Sequence, residues 1–344
     1  MTSKTITLDL RIGGLGDNWM RLVGFNAAAA LRPDLLIRLV IPANLVSVAR
    51  LAFSDRLEIL DDHQPRAITY AVRGLRDLLG SALRGQQYAS PYGRVVIHDW
   101  NRWTATDRLN SLAYTVCDTV RLVYSPPWSS LKHYQGYSEV VTIPAFRDIG
   151  VDEFNDHIVM DYPLLRDRLH SAPCSRGFQL PSDVGEKAVI FPSGTSHQFM
   201  PLEWAQEQMP DAIYAFFFRD PELARWTEAG LRTTPFYAEP GDMIALAKAA
   251  RVAASTDSFP SHFLQSCAPR FVVMLTELPH HRVISPGFTG PVVPSLAPCY
   301  PCPHLERHSF PICKAGHGAC LNWHSAEYAR SIKEALRSAD TQSI

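Results

Sequence analysis

The chain has 344 residues, of which 46% are apolar and 19% charged, and its net charge is −1. That length suits two domains of ordinary size, and the composition is that of a globular protein. The near-neutral charge excludes a general nucleic-acid binder. No stretch is apolar enough to span a bilayer and no apolar leader follows Lys4, so a cytoplasmic protein is expected.

Alternating apolar residues predict a strand over 5–10. It runs into Ile12-Gly13-Gly14-Leu15-Gly16-Asp17, and 18–31 reads as a helix with an alanine-rich second half. Glycine permits a tight turn and the close approach of another group. Amides at a helix start carry partial positive charge and suit a phosphate or a sugar hydroxyl. Gly14 and Gly16 are therefore candidate binding positions, with the Asp17 carboxylate at the helix entrance. The plain alternative is a strand-to-helix turn in which Asp17 serves as N-cap.

Further strands are predicted at 35–41, 57–60 and 94–98, with helices at 45–53 and 67–83 between them. Such alternation specifies parallel strands joined by crossover helices. Residues 125–150 read as loops with a short strand at 140–143, and 161–168 as a short helix. The irregular stretch 172–185 marks a boundary near residue 170. The alternation then resumes: strands at 187–191, 212–218, 252–255 and 271–275, helices at 201–208, 221–229, 242–250 and 260–267. Residues 279–303 are proline-rich, and 326–337 read as a last helix capped by Ser325. The expected class is α/β, with two halves in series and a cleft between them, ligands binding at the carboxyl ends of the strands.

Three motifs in the second half bear chemistry. Ser193-Gly194-Thr195 follows a strand, where small hydroxyl residues suit phosphate oxygens or a nucleoside, although an ordinary loop has the same composition. In Ser255-Thr256-Asp257-Ser258-Phe259-Pro260-Ser261-His262 a strand meets a helix opened by Pro260. Asp257 or Ser258 would cap that helix, its amides and hydroxyls would hold a diphosphate without a metal, and His262 would add a donor or a positive charge. Cys299, Cys302, Cys313 and Cys320 are spaced C-x2-C-x10-C-x6-C, which suits a structural tetrahedral Zn or Fe; free thiols or one disulfide are the alternatives.

These motifs together resemble the ADP-heptose glycosyltransferases, the heptosyltransferases of GT-B fold. Gly13-Gly14-Leu15-Gly16-Asp17, Pro192-Ser193-Gly194, Pro201-Leu202-Glu203-Trp204 and Asp257 to His262 follow that family's order and spacing. The cysteine-rich loop 298–320 looks like the tail of members that carry four cysteines, among them autotransporter-modifying enzymes that hold iron. The resemblance implies two Rossmann-like domains facing across a cleft: an acceptor domain over 1–170 and a nucleotide-sugar donor domain over 171–325. Residues 326–344 then form a C-terminal helix able to pack back toward the first domain. It implies an inverting transfer from a nucleotide-diphosphate sugar, ADP-heptose or similar, to an acceptor hydroxyl, with no catalytic metal. Asp17 falls at the position of the catalytic base. Ser193, Gly194, Thr195, Asp257, Ser258, Ser261 and His262 fall at donor positions, and Glu222 falls near the donor ribose.

Two departures bear on the donor. The family's basic residue ahead of Pro201 is replaced, Gln198 and Phe199 standing there, and its Asp-Thr-Gly is Asp257-Ser258-Phe259. They leave room for a changed donor, or for a non-catalytic nucleotide or sugar-phosphate binder on the same fold. A nucleotide-dependent oxidoreductase is disfavoured, because Pro42 and Ala43 stand where the ribose-binding acid belongs. The aromatic and basic residues Trp100, Arg102, Trp103, Tyr124, Trp128, Lys132, His133 and Tyr134 are candidates for acceptor contact. The acceptor itself, glycan, protein or small metabolite, is not legible.

Overall fold

In a computed structural model the chain divides by contact into two units, Met1–Gly14 with Arg21–Asn155, and Leu15–Met20 with Asp156–Ile344. The structure describes residues 4–9, 15, 16, 19, 22, 35–41, 45–52, 57–60, 76, 79, 83, 84, 94–99, 119–123, 139–142, 168–192, 199–237, 239–276, 280–284, 288–300 and 320–341.

The first unit holds β1 (Lys4–Asp9), β2 (Leu35–Val40), α1 (Val46–Ala52), β3 (Leu57–Leu60), β4 (Arg94–Asp99), β5 (Thr119–Val123) and β6 (Glu139–Thr142). Its six strands are all parallel, in the order β3-β2-β1-β4-β5-β6. Leu8 faces Leu39 on one side and Val96 on the other, so the β-branched and leucine runs fill the middle of the sheet. The strand β5 was not among the expected elements.

The second unit repeats the plan with β7 (Ala188–Phe191), α2 (Leu202–Gln208), β8 (Ile213–Phe217), α3 (Pro221–Glu228), β9 (Arg232–Phe236), α4 (Pro240–Ala249), β10 (Val252–Thr256), α5 (Phe259–Leu264), β11 (Phe271–Met274), α6 (His280–Val283), β12 (Val292–Val293) and α7 (Ala326–Thr341). The strands run parallel in the order β12-β11-β10-β7-β8-β9. Taken in chain order this is again 3-2-1-4-5-6, the doubly wound arrangement. Central strands buried on both faces read as continuous apolar runs, and Ala188–Phe191 and Val252–Thr256 are buried throughout. Two strands beyond expectation, β9 and β12, lie at the edges. Pro235 disguised β9, and an edge strand tolerates a proline because one side needs no amide.

Helix ends follow local chemistry. Asp220 caps α3 by accepting from the Glu222 amide at 3.0 Å, with Pro221 in the first turn. Ser325 caps α7, its Oγ accepting from the Tyr328 amide at 3.2 Å, as its place in the sequence predicts. The α3 face buries Trp226 edge-on against Tyr214 and Phe216, with centroids 4.8 and 5.2 Å apart. Helix α7 lies against β10, β11 and β12 and buries Tyr328, Ile332, Leu336 and Ala339 at helical spacing. Each of its large side chains contributes about 1.5–3 kcal/mol by leaving water. Among the described residues no helix is long and apolar enough to cross a membrane.

One glycine is required by close approach. A Cβ at Gly241 would lie 2.2 Å from the Pro173 carbonyl oxygen, a backbone atom that cannot swing aside. The next residue, buried Asp242, accepts from the amides of Ser175 at 2.7 Å and Tyr237 at 2.9 Å, and so ties the 172–175 segment to α4. Gly241→Ala is expected to destabilise the second unit by about 1–3 kcal/mol, read as a lower urea midpoint.

Candidate functional site

In a doubly wound sheet, ligands bind beyond the carboxyl ends of the strands where the order reverses. In the second unit that point lies between β7 and β10. The chain leaving β7 is Pro192 followed by Ser193-Gly194-Thr195, and the chain leaving β10 is Asp257-Ser258 followed by α5. Topology therefore brings the strand ends that lead into the two predicted donor loops side by side at one edge of one sheet. Ser193, Gly194 and Thr195 lie outside the described residues, as do Gly14, Asp17, Cys302 and Cys313.

The turn after β10 is built from small polar side chains held below the surface. Thr256, Asp257, Ser258, Ser261 and His262 are all buried. Ser258 stands at the N-cap of α5 in a capping box with Ser261. The Ser261 Oγ accepts from the Ser258 amide at 3.2 Å and donates to the Ser258 carbonyl at 2.7 Å. The Ser258 Oγ lies 3.2 Å from the Ser255 Oγ. Both hydroxyls are thus largely engaged inside the turn, where the sequence suggested that they point outward. Of the five buried side-chain polar atoms without a hydrogen-bond partner among the described residues, two belong to this turn, the Thr256 Oγ1 and the His262 Nδ1.

The Asp257 carboxylate accepts from the Thr276 hydroxyl. Thr276 follows β11, the strand beside β10, so this pair bridges two adjacent strand ends. Two phenols complete the surroundings. The Tyr300 oxygen accepts from the His280 amide at 2.9 Å, and Tyr328 donates to the Leu275 carbonyl at 2.7 Å. Burial raises the pKa of both phenols above the ordinary value and the negative field of Asp257 adds to it, the His280 amide opposing in part at Tyr300, so both stay protonated.

His262 does not carry the charge that its sequence position allowed. Burial lowers its pKa from 6.5 to about 4, so at neutral pH the ring is uncharged. Its neighbour is unexpected too. A Cβ at Gly16 would lie 2.5 Å from the His262 Cδ2 and 3.2 Å from its Nε2. The space left open by this glycine is therefore filled by a side chain of the same protein. Since Cδ2 and Nε2 form one edge of the imidazole, the unpartnered Nδ1 lies on the other.

Glu222 lies on α3, where its carboxylate accepts from the Trp226 Nε1 at 3.1 Å and the Arg225 Nη1 at 3.1 Å. None of these bonds reaches the turn after β10. Of the cysteines, Cys320 is buried, with its Sγ 3.4 Å from the Asn322 Nδ2 and 3.8 Å from the Thr276 carbonyl oxygen. Cys299 packs against the same core. Among the described residues no three metal-capable side chains gather.

The sequence did not single out Thr276 or Thr256 on their own account. Both stand at or just beyond the carboxyl end of a central strand, which is the signal that finds them once the strand order is known.

No family model and no curated protein matches this chain. Among solved structures it is similar to ADP-heptose LPS heptosyltransferase II of E. coli, at 13% identity over 98% of both chains and a TM-score of 0.55. A glycosyl transferase family 9 protein from Veillonella parvula DSM 2008 is 14% identical over 100% of this chain and 99% of its own, at 0.51. The dodecameric iron-containing heptosyltransferase TibC, from enterotoxigenic E. coli H10407 and solved with ADP-D-β-D-heptose, is 12% identical over 100% of this chain and 80% of its own, at 0.52. The likeness is one of fold: two α/β units with parallel sheets, matching glycosyltransferases of GT-B type. The α/β class and the doubly wound sheets expected from the sequence are present in both units.

Proposed function

We propose that the chain is an inverting glycosyltransferase that moves a sugar, heptose or a relative, from a nucleotide-diphosphate donor to an acceptor hydroxyl. The observation that carries this reading is the meeting, at the switch point of the second sheet, of the two strand ends that lead into these loops, with the Thr256 Oγ1 and the His262 Nδ1 buried there without partners among the described residues. Unsatisfied buried polar atoms are rare, and a bound molecule is one way to satisfy them. The fold shared with ADP-heptose enzymes supports the class of donor.

In this mechanism Asp17 accepts the proton of the acceptor hydroxyl while that oxygen forms a bond to the anomeric carbon. The bond from that carbon to the diphosphate oxygen breaks, and the nucleoside diphosphate leaves with the bonding pair. Ser193, Gly194 and Thr195 on one loop and Asp257, Ser258, Ser261 and His262 on the other hold the donor, with Glu222 toward the ribose. His262, uncharged, contributes a hydrogen bond and no charge. The Asp257 carboxylate, braced by Thr276, faces hydroxyls of the donor rather than its phosphates, since like charges repel.

A Zn or Fe ion at Cys299, Cys302, Cys313 and Cys320 belongs to the same reading. The Asn322 amide donates to the Cys320 sulfur, which itself faces the Thr276 carbonyl as a thiol does and would lose that contact on binding a metal, and two of the four cysteines pack against one core. Such an ion would order the proline-rich loop and take no part in the transfer.

A non-catalytic nucleotide binder is the second reading, favoured by the engagement of the Ser258 and Ser261 hydroxyls inside their own turn. Both readings require binding. ADP, offered to the full chain, is expected to raise the melting temperature by several degrees, as the mass action of a native-state ligand requires. No shift with ADP, UDP or their sugars would overturn both.

A further inference from the structure

We propose that Gly16 and Trp19 are positioning residues that hold Asp17 on the donor-binding unit through His262. The inference rests on the reading of Asp17 as the general base. Leu15–Met20 groups by contact with the second unit, although the strand before it belongs to the first. The grip has two points. Gly16 is buried with its Cα against the His262 ring, leaving no room for even a methyl group. Trp19 is fully buried and its Nε1 donates to the His262 carbonyl at 3.2 Å.

That carbonyl needs a partner. The last four carbonyls of a helix have none within it. At the end of α5 those of Ser261, Phe263 and Leu264 are taken by the amides of Gln265, Ser266, and Cys267 with Ala268. The His262 carbonyl is taken by Trp19. The indole thus caps a carbonyl that no backbone amide takes among the described residues. The ring is braced as well: Trp19 meets Phe263 edge-on at 5.1 Å, and Phe263 stacks on Phe259 at 5.7 Å. Phe259 is the residue that departs from the family's Asp-Thr-Gly, and here it backs the aromatic that Trp19 rests on.

Asp17 follows Gly16 directly and precedes Trp19 by two residues. It thus stands in sequence between the two anchored residues, within the segment that groups by contact with the unit of the donor turn. Proximity of this kind governs rate, because small misplacements of a reacting group are costly.

The test is a comparison of Trp19→Phe, Asp17→Asn and the double variant, read as ADP release from ADP-heptose by the full chain. Trp19→Phe keeps an aromatic ring against Phe263 but removes the N–H donor and part of a fully buried ring system. It is expected to lower kcat about 10- to 100-fold with KM for ADP-heptose little changed, and to lower the melting temperature through the orphaned carbonyl and the smaller ring, the assay being run well below that temperature. In the Asp17→Asn background it is expected to do nothing further, because there is no base left to position. A merely structural Trp19 would lower the residual rate of Asp17→Asn by the same factor, or raise KM, and either result overturns the inference. So does an unchanged kcat in Trp19→Phe. If Asp17→Asn itself turns over like the parent, the reading of Asp17 fails first and takes this one with it.

Discussion

Asp17→Asn is expected to cut ADP release from ADP-heptose by about 10²–10⁴-fold, the range that a positioned general base contributes. Asparagine keeps the size of aspartate but cannot take a proton. The fold and the affinity for ADP should therefore survive, and the loss should fall on kcat. The groups proposed to hold the donor lie elsewhere in the chain, after β7 and β10, so KM for the donor should change little. Measured kcat and KM for the two proteins decide the matter. Equal kcat values would show that Asp17 is not the base.

The second large effect is on stability. His262 is buried and neutral, with a pKa of about 4 against 6.5 when exposed. As pH falls, the unfolded chain takes up the proton first. Stability from this residue is thus complete above about pH 6.5, declines between pH 6.5 and 4, and changes no further once the folded form is also protonated. The span corresponds to about 3 kcal/mol. Carboxylates titrate in part of the same range, so the informative quantity is a difference. Urea titrations at pH 7 and at about pH 4.5 should show the parent losing more stability than His262→Gln, which has no proton to gain. Equal losses in both would mean that the ring is solvated rather than sealed beneath Gly16.

Much of the architecture was legible because doubly wound sheets advertise themselves. Continuous apolar strands such as Ala188–Phe191 alternate with helices that open on proline, as Pro221 and Pro260 do. Ser325 and Ser258 were readable as caps because capping is local. What escaped was non-local or atypical. The strand at Arg232–Phe236 carries a proline that only its edge position excuses, and Val292–Val293 is two residues long. The site was legible as a set of loops and not as a set of contacts. Gly16 reads as room for a ligand, yet the room is taken by His262, far along the chain. The bond from Trp19 to the His262 carbonyl spans 243 positions, and no spacing rule reaches that far. The engagement of the Ser258 and Ser261 hydroxyls inside their turn depends on rotamers that composition does not encode.

The central claim is that a sugar diphosphate held at the carboxyl edge of the second sheet is broken at its anomeric bond. ADP release from ADP-heptose, and from a panel of other ADP- and UDP-sugars, measures this directly with the full chain. The account predicts ADP or UDP accumulating over many turnovers from at least one donor, slowly with water alone and faster when an acceptor is present. A donor that binds and is recovered intact, with no nucleotide released under any condition, would contradict it.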